Sequence, residues 1–291
     1  MFEVVVLSSK GYENADERNY GDCFLINTGS ELIIYDCGSE THALRVMDYM
    51  ERYGYSEAIC VLSHNDSDHF DGIPMLLERK KISKIYTTLL LKYKEDILER
   101  IDDKRKTKDS VARQITELYD NIASLTGAPI VDIYEESAEL CNEVTIVGSD
   151  KDYMLDAVAK RLDGREGDTV DGETAVNATS IQLSISISGH KLLLCGDSSY
   201  AAIEDKLLNY DAIQLPHHGK PKQAEKIFDK MISKVNTLYI VSDNTGASNG
   251  GSDQLNTKGH RVRNTKTGSD IRLDQYTFAS TTYRTLNNLG R

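Results

Sequence analysis

The chain has 291 residues, is 40% hydrophobic and 27% charged, and carries a formal net charge of −12 at pH 7. This length allows one large core or two fused halves, and the composition is ordinary for a globular protein. The acidic charge argues against strong non-specific binding to nucleic acid, which depends on neutralising phosphates. No run approaches the roughly 20 apolar residues of a membrane helix, and no signal peptide is evident, so no membrane association is expected.

Five cysteines are an odd number, and four of them lie within or beside predicted strands. Small, buried and reduced residues fit this placement better than disulfides do. The sequence therefore predicts a cytoplasmic location.

The first part of the chain alternates predicted strands with predicted helices. The helix that follows the third strand would be capped by Ser39 or Thr41 and would bury Leu44, Met47 and Met50 on one face. The predicted strands are 2–7, 22–27, 31–35, 58–62, 82–87, 130–134 and 144–147; the predicted helices are 39–53 and 73–79; and 10–20 is predicted to be a polar loop.

Residues 91–126 are predicted to be two helices separated by the stretch DDKRKTKDS, which contains no apolar residue. The basic residues of this stretch form either a solvated face or a contact for the backbone of a substrate. We expect the whole segment to be an insertion that is peripheral to the chemistry and is available to a protein partner. The basic residues are Lys104, Arg105, Lys106 and Lys108.

The second part of the chain begins with residues 151–176, which are charged and contain three glycines, and which predict a mobile loop beside the site. The last two strands are expected to form a hairpin around Thr267-Gly268, and the final 18 residues either add an edge strand or are disordered. The predicted strands are 181–187, 191–195, 212–215, 237–241, 261–264 and 270–273, and the predicted helices are 199–209 and 222–233.

The densest group of polar residues is the stretch LSHNDSDHFDG, which holds His64, Asp66, Asp68, His69 and Asp71. A predicted strand precedes it and a predicted helix follows, so it lies at the carboxyl end of a strand, where α/β folds place their chemistry. Such closely spaced groups repel one another unless a divalent cation holds them through imidazole nitrogens and carboxylate oxygens. A solvated acidic turn is the alternative, and Asp71 is also suited to cap the next helix.

Three other strand ends carry similar groups: Asp36 in YDCGS, Asp197 in LCGDSS, and His217-His218 in LPHHG. If these strand ends converge with the loop that holds His64, they form one site. A helix cap is the alternative for Asp197, and a structural role is the alternative for His217.

The string His64-x-Asp66-x-Asp68-His69 resembles the HxHxDH signature of the metallo-β-lactamase superfamily, with Asp66 in place of the second histidine. The variant HxDxDH resembles most the hydrolase domain of bacterial DNA-uptake (competence) proteins. The strings YGDCFLIN, IIYDCG, LPHHG and VRNTKTGSDIRL resemble that domain as well. The resemblance implies an α/β fold, a four-layer αββα sandwich of two face-to-face mixed sheets with helices outside. It would be a single domain over 1–291, with halves 1–150 and 151–291.

The resemblance also implies two divalent metal ions, zinc or manganese, at the rim where the halves meet. These ions would lower the pKa of water to give a nucleophile and would stabilise charge that develops on a phosphate. The implied ligands are His64, Asp66 and Asp197 for one ion, and Asp68, His69, His217 and the shared Asp197 for the other.

The remaining roles are implied by the same resemblance. Asp36 would support the metal loop from behind. Most members of the superfamily carry a histidine roughly 20 residues before the bridging aspartate, in the region where this chain has Asn177 and Ser180. These two residues would contact a phosphate or support the ligands. Capping of a strand is the alternative. Asp68, Asn177 and His218 are the catalytic candidates, with His218 as a proton donor or a support for the ligands.

Together these features predict a dinuclear metal-dependent hydrolase that acts on phosphodiester bonds, most simply a nuclease with a nucleic acid or nucleotide substrate. One alternative is a small-molecule hydrolase acting on a cyclic nucleotide, a phospholipid headgroup or a lactone, which the acidic charge favours slightly. Another is a defence or signalling module that works only with a partner protein, which would bind through 91–126.

Overall fold

The computed structural model describes residues 2–8, 21–135, 139–164, 170–243, 251–267 and 269–278. Within these residues the chain forms two seven-stranded sheets. The strands are β1 Glu3–Val6, β2 Cys23–Asn27, β3 Leu32–Cys37, β4 Ala58–Val61, β5 Ile82–Thr87, β6 Ile130–Asp132, β7 Glu139–Cys141, β8 Val144–Gly148, β9 Gln182–Ile187, β10 His190–Leu194, β11 Ala212–Gln214, β12 Leu238–Val241, β13 Arg261–Asn264 and β14 Ile271–Leu273.

The helices lie between these strands. They are α1 Glu40–Tyr53, α2 Ser67–Phe70, α3 Ile73–Glu78, α4 Lys94–Arg100, α5 Lys108–Ser124, α6 Lys151–Leu162, α7 Ala175–Ala178, α8 Pro216–Gly219 and α9 Pro221–Lys230, with short 3-10 turns at Leu90–Tyr93, Tyr200–Ala202, Leu207–Asn209 and Thr265–Thr267. None of the described helices is long and apolar enough to cross a membrane. All five cysteines are free thiols in the structure.

Both sheets are mixed. The first has the order β14-β1-β2-β3-β4-β5-β6, and its strands run parallel from β3 to β6. The second has the order β13-β12-β11-β10-β9-β8-β7, and its strands run parallel from β10 to β13. In a parallel set all carboxyl ends meet at one edge, so each sheet offers one edge at which loops gather.

The core between the sheets follows from the alternation of side chains along each strand. In β2, Phe24 and Ile26 belong to the apolar cluster shared with the second sheet, whereas Leu25 packs with the helices outside. The second sheet contributes Leu183 and Ile185 to the shared cluster. Because both faces of the first sheet are covered at its centre, β1, β2 and β3 are nearly continuous apolar runs. The predicted αββα sandwich is confirmed.

Helix α1 begins and ends where the sequence predicts. Ser39 caps it by accepting a hydrogen bond from the backbone of His42 at 3.1 Å, and Gly54 ends it at a φ of 78°. The predicted buried face is confirmed at Met50, which is fully buried, and is wrong at Leu44, which is 52% exposed. Ala43 and Val46 are fully buried instead, so the core-facing stripe of α1 lies to one side of the predicted stripe.

The predicted mobile loop at 151–176 is wrong over its first half. Asp150 caps a regular helix, α6, by accepting from the backbone of Tyr153 at 3.0 Å. Met154, Leu155 and Val158 are buried and pack against α4. The charged residues between them lie on the outer face. The high charge of the segment suggested a loop, although the segment has an apolar stripe at helical spacing.

Two other predictions were wrong for related reasons. The predicted helix at 199–209 is a pair of separate 3-10 turns, although Ile203 and Leu207, four residues apart as in a helix, are both buried. The last two strands do not form a hairpin, because β13 pairs with β12 in the second sheet while β14 pairs with β1 in the first. Strand β7 was not predicted. The predicted polar loop at 10–20 and all residues after 278 lie outside the described residues.

Candidate metal centre

Four segments meet where the carboxyl ends of the parallel strands of both sheets lie together. They are the end of β3, the loop and short helix α2 after β4, the turn after β10, and α8 after β11. A hydrogen bond from the Tyr35 hydroxyl to the carbonyl of Ile181, at 2.6 Å, links the two sheets beside this edge. The site is therefore assembled across the sandwich from both halves of the chain.

Close backbone packing fixes the position of the metal loop. The carbonyl of Asp68 accepts from the backbone of Asp22 at 2.8 Å. A Cβ added at Gly21 or Gly38 would lie 1.6 Å or 1.9 Å from that carbonyl oxygen, so only glycine fits at either position. The loop is thus set against two neighbouring segments and not only by its own sequence.

Asp36 lies fully buried behind this loop, with a left-handed backbone at φ 59°. Its carboxylate accepts from the backbone and the hydroxyl of Ser63, both at 2.7 Å, and from His69 Nδ1 at 2.8 Å. Burial raises the pKa of Asp36, and the nearby His69 and Ser63 oppose that rise. The predicted supporting role of Asp36 agrees with these contacts, which fix both His69 and the start of the metal loop.

The hydrogen-bond partners determine which nitrogen of His64 carries the proton. His64 Nδ1 lies 2.9 Å from the Ser63 hydroxyl and 3.2 Å from the Ser180 hydroxyl. The Ser63 hydroxyl already donates to Asp36, and the Ser180 hydroxyl already donates to the carbonyl of Asn177 at 2.7 Å. Both hydroxyls must therefore accept from His64 Nδ1, which leaves Nε2 with a free lone pair.

The other three histidines of the site are also held through Nδ1. His69 donates from Nδ1 to Asp36, and His217 donates from Nδ1 to Glu173 at 2.6 Å. His218 Nδ1 lies 3.0 Å from the carbonyl of Ser242, which can only accept. In metal sites a second partner of this kind fixes the tautomer and the orientation of a ligating imidazole.

Several atoms at the centre of this cluster are buried and have no hydrogen-bond partner: His64 Nε2, His69 Nε2 and Asp197 Oδ1. His69 Nε2 lies 3.3 Å from Asp197 Oδ1, and His64 Nε2 lies 4.0 Å from Asp197 Oδ2. Unsatisfied buried donors and acceptors are costly, and nitrogen and oxygen atoms that converge in this way suit a divalent cation.

Among the described residues, two groups have ligand atoms within 4.8 Å of one another, and His69 belongs to both. The groups are His64 with His69 and Asp197, and Asp68 with His69 and His218.

The charges of these groups also suit a cation. Burial lowers the pKa of His64 to about 3, so it is neutral at pH 7. Burial would raise the pKa of Asp68 and Asp197, but His69 and its neighbours lower both below their usual range, so both are ionised. Burial would lower the pKa of His69, but Asp197 and Asp36 raise it well above its usual value. A proton therefore competes with a cation at His69.

The two adjacent histidines differ from the predicted assignment. His218, not His217, lies beside Asp68, with its Nε2 at 2.8 Å from Asp68 Oδ2. Because His218 is buried and both of its nitrogens are engaged, it is not placed to give a proton to a substrate. His217 Nε2 instead lies 3.8 Å from Asp197 Oδ2.

Asn177 and Ser180 were predicted to contact a phosphate or to support the ligands. Asn177 Nδ2 donates to Asp197 Oδ2 at 3.2 Å, and its oxygen accepts from the hydroxyl of Thr174. The Ser180 hydroxyl serves His64 and the backbone of Asp197. Both side chains are buried and contact predicted ligands, which favours the supporting role over the catalytic role predicted for Asn177.

The two remaining acidic residues of the loop differ from each other. The side chain of Asp66 is 44% exposed, and its Oδ2 lies 3.7 Å from His64 Nε2. Asp71 is exposed at the carboxyl end of α2 and contacts neither group. Asp66 thus borders the cluster, while Asp71 lies apart from it.

Sequence reasoning missed Asp22, Glu173 and Asn65. Asp22 Oδ1 lies 3.2 Å from His218 Nδ1, and Glu173 accepts from His217. Asp22 and Glu173 each lie far along the chain from the histidine that they contact. The one available signal was the string YGDC, where Gly21 and Asp22 directly precede a strand.

Helix α5 contacts the metal loop, so the prediction that 91–126 is peripheral is wrong for its second half. The helix is kinked at Tyr119, where φ is −134°. Next to the kink, the carbonyl of Leu118 accepts from Asn65 Nδ2 at 2.9 Å, and Asn121 donates to the carbonyl of Asn65 at 3.4 Å. Asn65 stands between His64 and Asp66, so α5 fixes the loop between two predicted ligands.

Asn65→Ala is expected to lower kcat by roughly 10- to 100-fold, because small displacements of a catalytic group have effects of this size. Metal content and the thermal unfolding midpoint, measured beside the rates, would show whether the loop is merely displaced. Arg105→Ala is the control, since that side chain is 91% exposed and lies in the turn before α5. Equal losses in the two variants would contradict a specific role for Asn65.

An apolar pocket of about 220 Å³ lies between the end of β5 and α5. Because β4 and β5 are adjacent and parallel, the pocket opens at the same edge of the sheet as the metal loop. Its walls are formed by Thr88, Leu89, Leu90, Leu91, Ile115, Thr116, Tyr119, Ile122 and Ile130.

Comparison with known proteins gives the following relationships. The profile of the Metallo-beta-lactamase superfamily matches residues 16–242, and no curated protein matches the chain significantly. The metallo-beta-lactamase fold protein YhfI from Bacillus subtilis is similar at 14% identity and a TM-score of 0.54, over 94% of this chain and 100% of that one. Tm1679, a metal-dependent hydrolase of the beta-lactamase superfamily, is similar at 12% identity and a TM-score of 0.52, with the same coverage. At these identities the structural likeness shows the fold.

Proposed function

The chain belongs to the metallo-beta-lactamase superfamily, and on that basis we propose that it is a two-metal hydrolase that cleaves phosphodiester bonds. The observation that carries the proposal is the arrangement around Asp197. Four histidines are each oriented from Nδ1 and direct Nε2 toward a cluster of carboxylates. Such an arrangement suits two cations that share one carboxylate.

When bound, two divalent ions in one site supply Lewis-acid stabilisation of charge and lower the pKa of water. The residues of this chain provide the frame for that chemistry. Asp197 lies between two of the histidines, since its Oδ1 faces His69 and its Oδ2 faces His64. Asp36 and Ser63 hold the loop rigid from behind, so that the ligands do not reorganise during the reaction.

The direction from which a substrate approaches follows from exposure. Asp66 and His217 are the partly exposed members of the cluster, at 44% and 31%, while His64, His69 and His218 are buried. A substrate therefore meets the cluster on the side of Asp66 and His217. The resemblance of HxDxDH to the competence-type hydrolase domains, which stays a prediction, supports a phosphodiester as the bond that is cleaved.

The apolar pocket beside α5 favours a second candidate function, the hydrolysis of a small molecule that carries an apolar group, such as a phospholipid. Seven of its nine wall residues are apolar or aromatic: three leucines, three isoleucines and Tyr119. Burial of a CH₂ group in such a pocket contributes about 0.8 kcal/mol, whereas a nucleotide would gain little there. The acidic net charge of −12 also suits a small substrate.

The test is a panel of substrates presented to metal-loaded protein: single- and double-stranded DNA, RNA, a chromogenic phosphodiester, a phospholipid and a lactone. Cleavage of the chromogenic phosphodiester and of a polynucleotide supports the proposal. Cleavage of the phospholipid alone supports the second candidate. Activity on the lactone alone, with none on any phosphodiester, contradicts the proposed bond.

Manganese is expected to support faster turnover than zinc. Asp66 replaces a histidine of the superfamily signature, and carboxylate oxygen suits manganese better than imidazole does. Zinc still binds more tightly, since affinity generally rises from manganese to zinc. Metal-stripped protein should be reconstituted with each ion, with rates and bound metal measured together.

Asp66→His provides the matched comparison for that prediction. The variant restores the common signature and should shift the preference toward zinc. Full activity with zinc and none with manganese in the unaltered protein would contradict the prediction, and so would an unchanged preference in the variant.

A further inference from the structure

The two oxygens of the Asp197 carboxylate face different histidines. Its Oδ1 lies 3.3 Å from His69 Nε2, on the side of Asp68. Its Oδ2 lies 4.0 Å from His64 Nε2 and 3.8 Å from His217 Nε2. His217 therefore belongs with His64, on the side of the cluster that Asp66 borders.

The backbone and a buried acid hold His217 in this orientation. Its φ of 51° and ψ of 58° are left-handed, a conformation that non-glycine residues rarely adopt. Its backbone N–H donates at 3.2 Å to the carbonyl of Gly196, the residue before Asp197. Its Nδ1 donates to Glu173, which is 1% exposed and is itself held by Lys220 at 2.9 Å.

The group around His64 needs such an imidazole. His64, Asp66 and Asp197 would give this ion three protein ligands, but Asp197 would be shared with the other ion. The ion would then have only two ligands of its own, whereas catalytic sites commonly have three protein ligands and a water, and His217 would supply the third. Asn177 cannot supply a further one, because its amide is bonded to Asp197 and Thr174. Within the described residues, His217 is the imidazole that faces Asp197 Oδ2 besides His64.

We propose that His217, oriented by Glu173, is the second imidazole ligand of the ion held by His64 and Asp66. It takes the role of the superfamily histidine that is absent from this chain near Asn177. The rings of His217 and His218 are inclined at 81°, with their centroids 5.8 Å apart. The two adjacent histidines therefore point to different places, and His218 serves the ion beside Asp68. The proposal rests on the two-metal function proposed above.

The test counts bound ions without any substrate. Each variant is loaded with cobalt(II), dialysed against a weak chelator, and analysed for metal per chain and for the visible absorption of cobalt, with circular dichroism as the check of folding. The unaltered chain should hold two ions. His217→Ala should hold one ion. His190→Ala, which removes a partly exposed histidine at the start of β10 that stacks on Phe278, should hold two.

Double variants identify which ion is lost. His217→Ala combined with Asp66→Ala should still hold one ion, because both residues serve the same one. His217→Ala combined with His218→Ala should hold none. If His217 served the ion beside Asp68, the first combination would lose both ions and the proposal would be overturned. Two tightly held ions in His217→Ala would overturn it as well.

Glu173→Gln keeps the imidazole and so remains informative if His217→Ala fails to fold. It should weaken one ion by roughly 10- to 100-fold, the usual effect of removing a partner behind a ligand, and leave the other unchanged. Unchanged affinity for both ions would overturn the proposal. An unaltered chain that holds two ions but cleaves no phosphodiester would contradict the proposed function alone, while one that holds a single ion would contradict both.

Discussion

Asp68→Ala is expected to lower kcat/KM for hydrolysis by roughly 10³-fold or more, the scale of loss when a central catalytic group is removed. Asp68 is the carboxylate that His69 and His218 share in one of the two ligand groups. Without it, Asp197 is the carboxylate left beside the two imidazoles, and the affinity of this group for a cation falls sharply. The loss should appear in kcat, since the residue acts in the reaction more than in binding the substrate.

The same loop offers the control for this prediction. Asp71→Ala removes a carboxylate three residues away that is exposed and contacts neither ligand group. Its rate should equal that of the unaltered protein, and circular dichroism of both metal-free variants checks that each is folded. If Asp71→Ala were as slow as Asp68→Ala, the loss would reflect the charge or folding of the loop and not a ligand role.

The metal loop was predictable because its ligand-type residues are close in sequence. His64, Asp66, Asp68 and His69 occupy six consecutive positions after a strand, so they are near one another in almost any fold of the chain. The sandwich followed from the resemblance that this string carries, and the strands were predictable because each is an apolar run bounded by turn residues. Local information was sufficient for these features.

The orientation of the two adjacent histidines could not be predicted from local sequence. His217 and His218 are adjacent, and only the left-handed backbone at both positions turns their rings toward different groups. The residues that hold them, Glu173 and Asp22, lie 44 and 196 positions away along the chain. No spacing rule connects partners so distant, and these contacts exist only once the two sheets have packed.

The predictions for two helical segments, α6 and α5, were wrong for a similar reason. The charge of α6 suggested a loop, yet Met154 and Val158 pack on α4, which is also part of the supposed peripheral segment. The kink that lets α5 reach Asn65 likewise depends on packing against the metal loop. Such contacts are tertiary, and they override what the local pattern favours.

Asp36→Ala is expected to destabilise the metal-free protein by about 3–5 kcal/mol, the usual effect of removing one partner of a buried ion pair. Asp36 is fully buried and accepts from His69 and from both donors of Ser63. Its removal leaves three buried donors without a partner. It also removes one of the carboxylates that raise the pKa of His69. Denaturant unfolding of metal-free protein measures this effect directly.

Metal binding should weaken in parallel, and Asp36→Asn separates the two effects. Asparagine keeps the shape, and its oxygen still accepts from the backbone of Ser63. Its amide nitrogen, in the place of Oδ2, cannot accept from His69 Nδ1 or from the Ser63 hydroxyl. We expect Asp36→Asn to lose much less stability than Asp36→Ala, yet to bind metal roughly 10- to 100-fold more weakly, because the tautomer of His69 is no longer fixed. Competition with a chromogenic chelator gives these affinities. An Asp36→Asn protein with unaltered metal affinity would show that Asp36 acts on folding alone. If Asp36 sets the tautomer of His69, loss of its carboxylate must change the affinity of the site for the cation.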